Sequence, residues 1–184
     1  MPSAIVRVFP PRTPAALLIA GWGVFGVVAL LVSAIVRLTP LALEPLQTGM
    51  TPLQWALYVG WSAFNLYAEG YKGFQKAFVP RVVARSFYVA RHPRPLHVVL
   101  APILCMGLFF ASRKRLALSW GLVIGVTLLV TLVRGLAQPW RGIVDAGVVL
   151  GLAYGTVALV VAWLAVARGQ PITVSPQVPP GAPE

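Results

Sequence analysis

The chain has 184 residues, of which 58% are hydrophobic and 10% charged, whereas a soluble domain carries about 25% charged residues. A chain of one-domain length has no soluble core large enough to bury that excess, which excludes an ordinary soluble globular domain. The 15 basic and 4 acidic residues give a net charge of +11; they fall between apolar blocks, which points to anionic lipid head groups and not to nucleic acid.

The first element is a short basic leader over 1–14 with Arg7, Arg12, Pro10, Pro11 and Pro14. Residues 15–36 follow without a charge. A cleaved signal peptide has an apolar region of about 7–15 residues, so this longer block reads as a retained first span, ended by Arg37. About 20 residues at 1.5 Å each cross roughly 30 Å of hydrocarbon. A loop with Pro40, Glu44 and Pro45 leads to a second span over 52–69, with Pro52 suited to a first helical turn. Residues 71–95 mix Lys72, Lys76, Arg81, Arg85, Arg91 and Arg94 with apolar side chains at helical spacing. That pattern predicts helix at head-group level, broken or kinked at Pro80.

A third apolar block covers 96–112, with Pro102 near its middle. The basic tip Arg113, Lys114 and Arg115 precedes a fourth block over 116–134. A turn with Pro139, Trp140 and Arg141 leads to the fifth, 143–167, interrupted only by Asp145. The Pro-rich tail over 169–184 has no apolar face and reads as disordered. The sequence therefore predicts an all-α, polytopic integral membrane bundle of about five transmembrane helices. The alternative is four spans plus a re-entrant segment at 96–112.

Five spans with the N-terminus inside place Arg7, Arg12, the six basic residues of the long loop, Arg134 and Arg141 inside, against Arg37, Arg113, Lys114, Arg115 and Arg168 outside. This bias predicts a bacterial-type cytoplasmic membrane with the N-terminus inside. The re-entrant alternative returns the 113–115 tip to the inside and leaves only Arg37, Arg134 and Arg141 outside. It also requires non-helical backbone at membrane depth to be covered by protein or water.

Candidate functional residues are few. Ser62, Asn65, Glu69, Lys72 and Lys76 recur at spacings of three and four, a single face of a regular α-helix. Glu69, at the membrane boundary, needs a partner or a watery path. It reads either as a proton- or cation-handling carboxylate or as a structural ion pair, with Lys72 or with a basic residue of another helix, that fixes the helix end. Asp145 has Arg141 one turn before it and lies near a helix start, where acid is favoured. With five spans, Glu69 and Asp145 share a side with Arg134 and Arg141. Gly147, Gly151 and Gly155, and likewise Gly121 and Gly125, are four apart and clear grooves for close helix packing. Lys76, Arg81, Arg85, Arg91 and Arg94 read as lipid head-group contacts.

Cys105 is the only cysteine, which leaves no internal disulfide and no cysteine metal cluster. His92 and His97 are five apart with Pro93 and Pro95 between them, a poor arrangement for haem ligation. No zinc spacing, nucleophile elbow, phosphate loop or dinucleotide fingerprint occurs, so neither a metal nor a cofactor is expected. Arg91-His92-Pro93, before an apolar block, resembles the R-H-P element of isoprenylcysteine and phospholipid methyltransferase-like membrane enzymes. The resemblance implies a contact to S-adenosylmethionine and a lipid-modifying activity. It covers three residues; Arg94, Pro95 and Leu96 stand where that family has an aromatic residue, and the family's downstream acidic pair is missing.

These features lead first to a non-catalytic accessory, assembly or scaffold subunit, acting as a homo-oligomer or with a membrane-protein partner. The alternative is an oligomeric transporter or channel component using the Glu69 stripe, and the third reading is the lipid-modifying enzyme.

Overall fold

A computed structural model describes residues 7–8 and 13–174. The rest of the basic leader and the tail from 175 onward, with the disorder expected there, lie outside the described residues. The chain is helical apart from one short antiparallel pair, Arg7–Val8 with Ile172–Thr173. The helices are α1 (Pro14–Thr48), α2 (Pro52–Asn65), a π-helical segment (Leu66–Phe78), α3 (Val79–Arg91), α4 (Pro95–Val99), α5 (Ala101–Cys105), α6 (Arg113–Arg134) and α7 (Trp140–Ala167). Among the described residues, α1, α6 and α7 are long and apolar enough to cross a membrane.

The loop expected after residue 37 is instead the last third of α1, which runs through Pro40 and Pro45 to Thr48. A proline inside a helix leaves the carbonyl four residues earlier without its N–H. For Pro45 that carbonyl is Leu41 O, and Gln138 Nε2 donates to it at 3.3 Å while also reaching Glu44 Oε2 at 2.8 Å. Tyr58 Oη adds a bond to Ala42 O at 3.0 Å. Side chains of α2 and of the α6–α7 turn thus hold helical a stretch that local propensity would end.

The chain turns at Gly49 and restarts with a capping box. Thr51 Oγ1 accepts from Gln54 N and Gln54 Oε1 accepts from Thr51 N, which satisfies two backbone donors at once. From there α2, the π segment and α3 run without a break over 52–91. Pro80 does not break this rod. It sits in the first turn of α3, where i→i+5 pairing has just ended and no N–H is required of it.

α7 packs along α1 and along the 52–91 rod. It runs antiparallel to α1, since its Gly142 meets Pro45 and its Trp163 meets Gly21. It runs parallel to the rod, with Gly147 against Trp61 and Asn65, Gly151 against Glu69, and Gly155 against Phe74. The core gathers Val82, Val83 and Phe87 of α3, Ala20, Val24 and Val27 of α1, and Leu159 of α7. The head-group helix expected over 71–95 therefore differs in its last half: α3 is the most enclosed helix of the fold, with 9 of its 13 residues buried.

Residues 96–112 do not form one spanning helix. They hold two five-residue helices and a turn, with positive φ at Gly107 and Phe110. This hairpin docks on the first half of α1, where Gly23 and Gly26 leave room for Cys105 and Pro102. α6 stands apart. Ser119 is its only buried residue, and it touches α7 only sparsely.

Candidate functional site

The glycine run of α7 and the polar stripe of α2 belong to one seam. A methyl group at Gly147 would come within 2.7 Å of Asn65 Nδ2, and one at Gly151 within 3.3 Å of Glu69 Cβ and Oε2. Asn65 is buried and donates to Trp61 O at 2.8 Å, while Trp61 Nε1 reaches across to Val144 O at 3.4 Å. Ser62 is buried with its hydroxyl unpaired among the described residues. The glycines permit this approach because they carry no side chain at the contact. Gly121 and Gly125 on α6 face open space: a methyl group added at either would meet nothing within 4 Å.

Because the rod continues to Arg91, Glu69 lies near its middle, opposite the twelfth residue of the 28-residue α7. It is laterally exposed and has no ion-pair partner within 4.0 Å among the described residues. The expected pairing with Lys72 does not form. The π segment closes its hydrogen bonds five residues apart, so residues five apart stack on one face. Lys72 Nζ accordingly sits 4.8 Å from the Tyr67 ring centre and Lys76 Nζ 5.3 Å from that of Tyr71. The same register turns Gly70 towards Tyr154 and brings the Tyr154 hydroxyl onto Gln75. The five-residue stripe thus divides: Asn65 and Glu69 face α7, Ser62 is buried one turn before them, and the two lysines lie over tyrosines.

Asp145 is buried and pairs with Arg141, Nε to Oδ2 at 3.6 Å. Glu69 meets α7 at Gly151, six residues and about 9 Å further along the helix axis, so the two carboxylates have no shared partner. Arg134 is exposed at the end of α6. Seam and Asp145 pair are therefore separate features. Among the described residues no group of three His, Cys, Asp or Glu side chains converges as a metal site would require.

The basic residues read as head-group contacts separate into two kinds. Lys76, Arg91 and Arg94 are exposed. Arg85 is not: it is 4% exposed and donates from Nε to Leu104 O at 2.6 Å, and from Nη2 to Phe109 O at 3.1 Å and Phe110 O at 2.8 Å. It clamps the hairpin, whose short helices leave terminal carbonyls without intrahelical donors. Arg81, one turn earlier, is half-buried, with Nε enclosed and unpaired among the described residues. Two neighbours escaped sequence reasoning. Arg115 Nε and the Ser119 hydroxyl both lie against Gly107, 3.3 and 3.4 Å from where its side chain would begin. The 113–115 tip gave Arg115 no distinction from Arg113 or Lys114, and nothing in sequence linked Ser119 to a loop twelve residues before it. The Arg91-His92-Pro93 element forms the turn after α3, with His92 Nδ1 3.2 Å from Tyr88 O.

No protein-family model, no curated protein and no solved structure matches the chain.

Proposed function

We propose that this protein is a non-catalytic subunit of a membrane assembly that associates laterally through α6. The observation that carries the reading is the standing of α6: a 22-residue apolar helix that meets the hairpin through its first two turns and is otherwise largely unpacked, with Gly121 and Gly125 on open faces. Small residues four apart admit a neighbouring helix, and among the described residues no helix takes that place. The proposal includes four crossings, formed by α1, the first part of the 52–91 rod, α6 and α7, with the 96–112 hairpin entering and returning on one side. The start of α1 beside the end of α7 supports an even number. With both termini inside a bacterial-type cytoplasmic membrane, only Arg37, Arg134 and Arg141 among the 15 basic residues lie outside, in accord with the positive-inside bias.

Native mass measurement of the chain purified from its own membrane in mild detergent tests the subunit reading. A stoichiometric complex that Gly125→Leu dissociates, with the variant chain still folded, is the expected result. A monomer with nothing bound, or a complex indifferent to that change, overturns it.

A second reading, a transporter or channel component, draws on the carboxylate of Glu69 near mid-bundle without an ion pair. An ionisable group at such depth marks ion or proton pathways more often than it stabilises a fold. Proton-coupled uptake into vesicles containing the protein, abolished by Glu69→Gln, is its expected signature; equal uptake with the variant removes it.

A further inference from the structure

We propose that Arg115 and Ser119, which lie against Gly107, together with Arg81, one turn before Arg85 on α3, form a binding site for a phosphate-type oxyanion at one end of the bundle. Such a site is independent of the assembly reading.

Four features of the place favour a negative partner. First, Arg85 and Arg115 approach the same loop from opposite helices. Arg85 holds the carbonyls of Leu104, Phe109 and Phe110 from α3, and Arg115 lies against Gly107 from α6. Arg81 is one turn from Arg85 on α3. Like charges repel, and an anion between Arg81 and Arg115 would relieve the repulsion. Second, among the described residues no carboxylate lies within ion-pair distance of Arg81 or Arg115. Of the four acidic residues, Glu44 and Asp145 sit at the opposite end of the bundle, Glu69 lies halfway, and Glu184 is outside the described residues. Neither Arg81 nor Arg115 has an ion-pair partner among the described residues.

Third, two enclosed polar groups are unpaired among the described residues. Ser119 is 4% exposed and its hydroxyl has no hydrogen bond, and neither does Arg81 Nε. Buried polar groups are ordinarily paired, and an orphan signals a missing ligand or water. A serine in a helix usually satisfies itself on the carbonyl four residues back; Ser119 does not. Fourth, α6 begins with Arg113, Lys114 and Arg115 and has no acid in its first turn. The helix dipole makes cations unfavourable there and anions favourable. Burial, with the Arg115 guanidinium beside it, also pulls the Arg81 pKa down, as expected of a cation lacking its counter-charge.

Gly107 fits the same picture. Its φ of +77° suits glycine, and a side chain there would meet Arg115 Nε and the Ser119 hydroxyl at ordinary to tight distance. Two guanidiniums and a hydroxyl can meet several oxygens of one phosphate, each guanidinium bonding two in parallel. A phospholipid head group and free phosphate share this chemistry.

The test is thermal unfolding of the full chain in uncharged detergent, titrated with inorganic phosphate, short-chain phosphatidylglycerol or short-chain phosphatidylcholine. A saturable rise in midpoint with phosphate assigns a free oxyanion; a rise with phosphatidylglycerol alone assigns a lipid head group. In either case Arg115→Gln weakens the response about tenfold, as loss of a charge-assisted contact should. Lys114→Gln, an identical charge change on the exposed neighbour, leaves it intact. Ser119→Ala, which removes an unpaired hydroxyl and threatens no contact, weakens it about threefold. No response to phosphate or phosphatidylglycerol, an equal response to phosphatidylcholine, or equal losses for Lys114→Gln and Arg115→Gln overturns the site. If Arg115→Gln fails to fold, an unchanged affinity for Ser119→Ala overturns it.

Discussion

At the scale of single residues, the seam between α7 and the rod depends on the absence of side chains. Gly155 lies so close to the Phe74 ring that a methyl group could not be added without displacing it. Gly155→Ala is expected to cost about 1–3 kcal/mol through overpacking, read as a lowered unfolding midpoint in detergent. Gly121→Ala, in open space, should be neutral or stabilising by up to about 1 kcal/mol, since alanine is the better helix former. Equal destabilisation of both variants would mean that α6 is packed within the chain. Glu69 gives a complementary expectation. With no ion pair to lose, Glu69→Gln should leave the midpoint unchanged or raised, because the charge is costly at that depth and the amide is not. A marked fall would reveal a partner. The glycine spacing was legible in sequence; its partner was not, since spacing specifies a groove and not what fills it.

Among the elements, the rod and the hairpin depart furthest from local expectation. A period of 3.6 put Lys72 and Lys76 on the face of Glu69. The i→i+5 register of the π segment turned them away, onto the rings of Tyr67 and Tyr71. The hairpin over 95–110 is two short helices that local propensity alone would not sustain. Arg85 holds it through three carbonyls. Arg85→Leu should leave those acceptors unsatisfied and cost about 1.5–3 kcal/mol or more, the range for hydrogen bonds to charged groups. Cys105 supplies a local reading, because it is buried on Gly23 and is the only thiol. Its labelling by a maleimide should accelerate in Arg85→Leu and stay slow in Arg91→Leu, whose residue is exposed. Fast labelling in the unaltered chain would contradict the docking of the hairpin on α1. Sequence could not choose Arg85 from its five basic neighbours, since burial depends on where the hairpin folds back.

For the whole molecule, the proposed four crossings predict that Lys114 and Arg134 lie on opposite sides of the membrane and that both termini share the side of Lys114. Single cysteines at 114 and 134, in a chain with Cys105→Ser, should react with a membrane-impermeant reagent from opposite faces. Reaction from one face would rule out α6 as a crossing. Composition and hydropathy by themselves determined that the chain is an all-helical membrane protein, because long uncharged blocks have no other low-energy environment. They also located two of the three long apolar helices closely. Tertiary structure alone decided that α1 continues through two prolines, that 96–112 turns back, that α3 is core, and that Arg85 and Arg115 both meet the 104–110 loop. The reason is common to all four. Each depends on a donor, an acceptor or a vacant space supplied by a segment distant in sequence, such as Gln138 for Leu41 or Arg85 for Phe110, and periodicity within a segment carries no record of it.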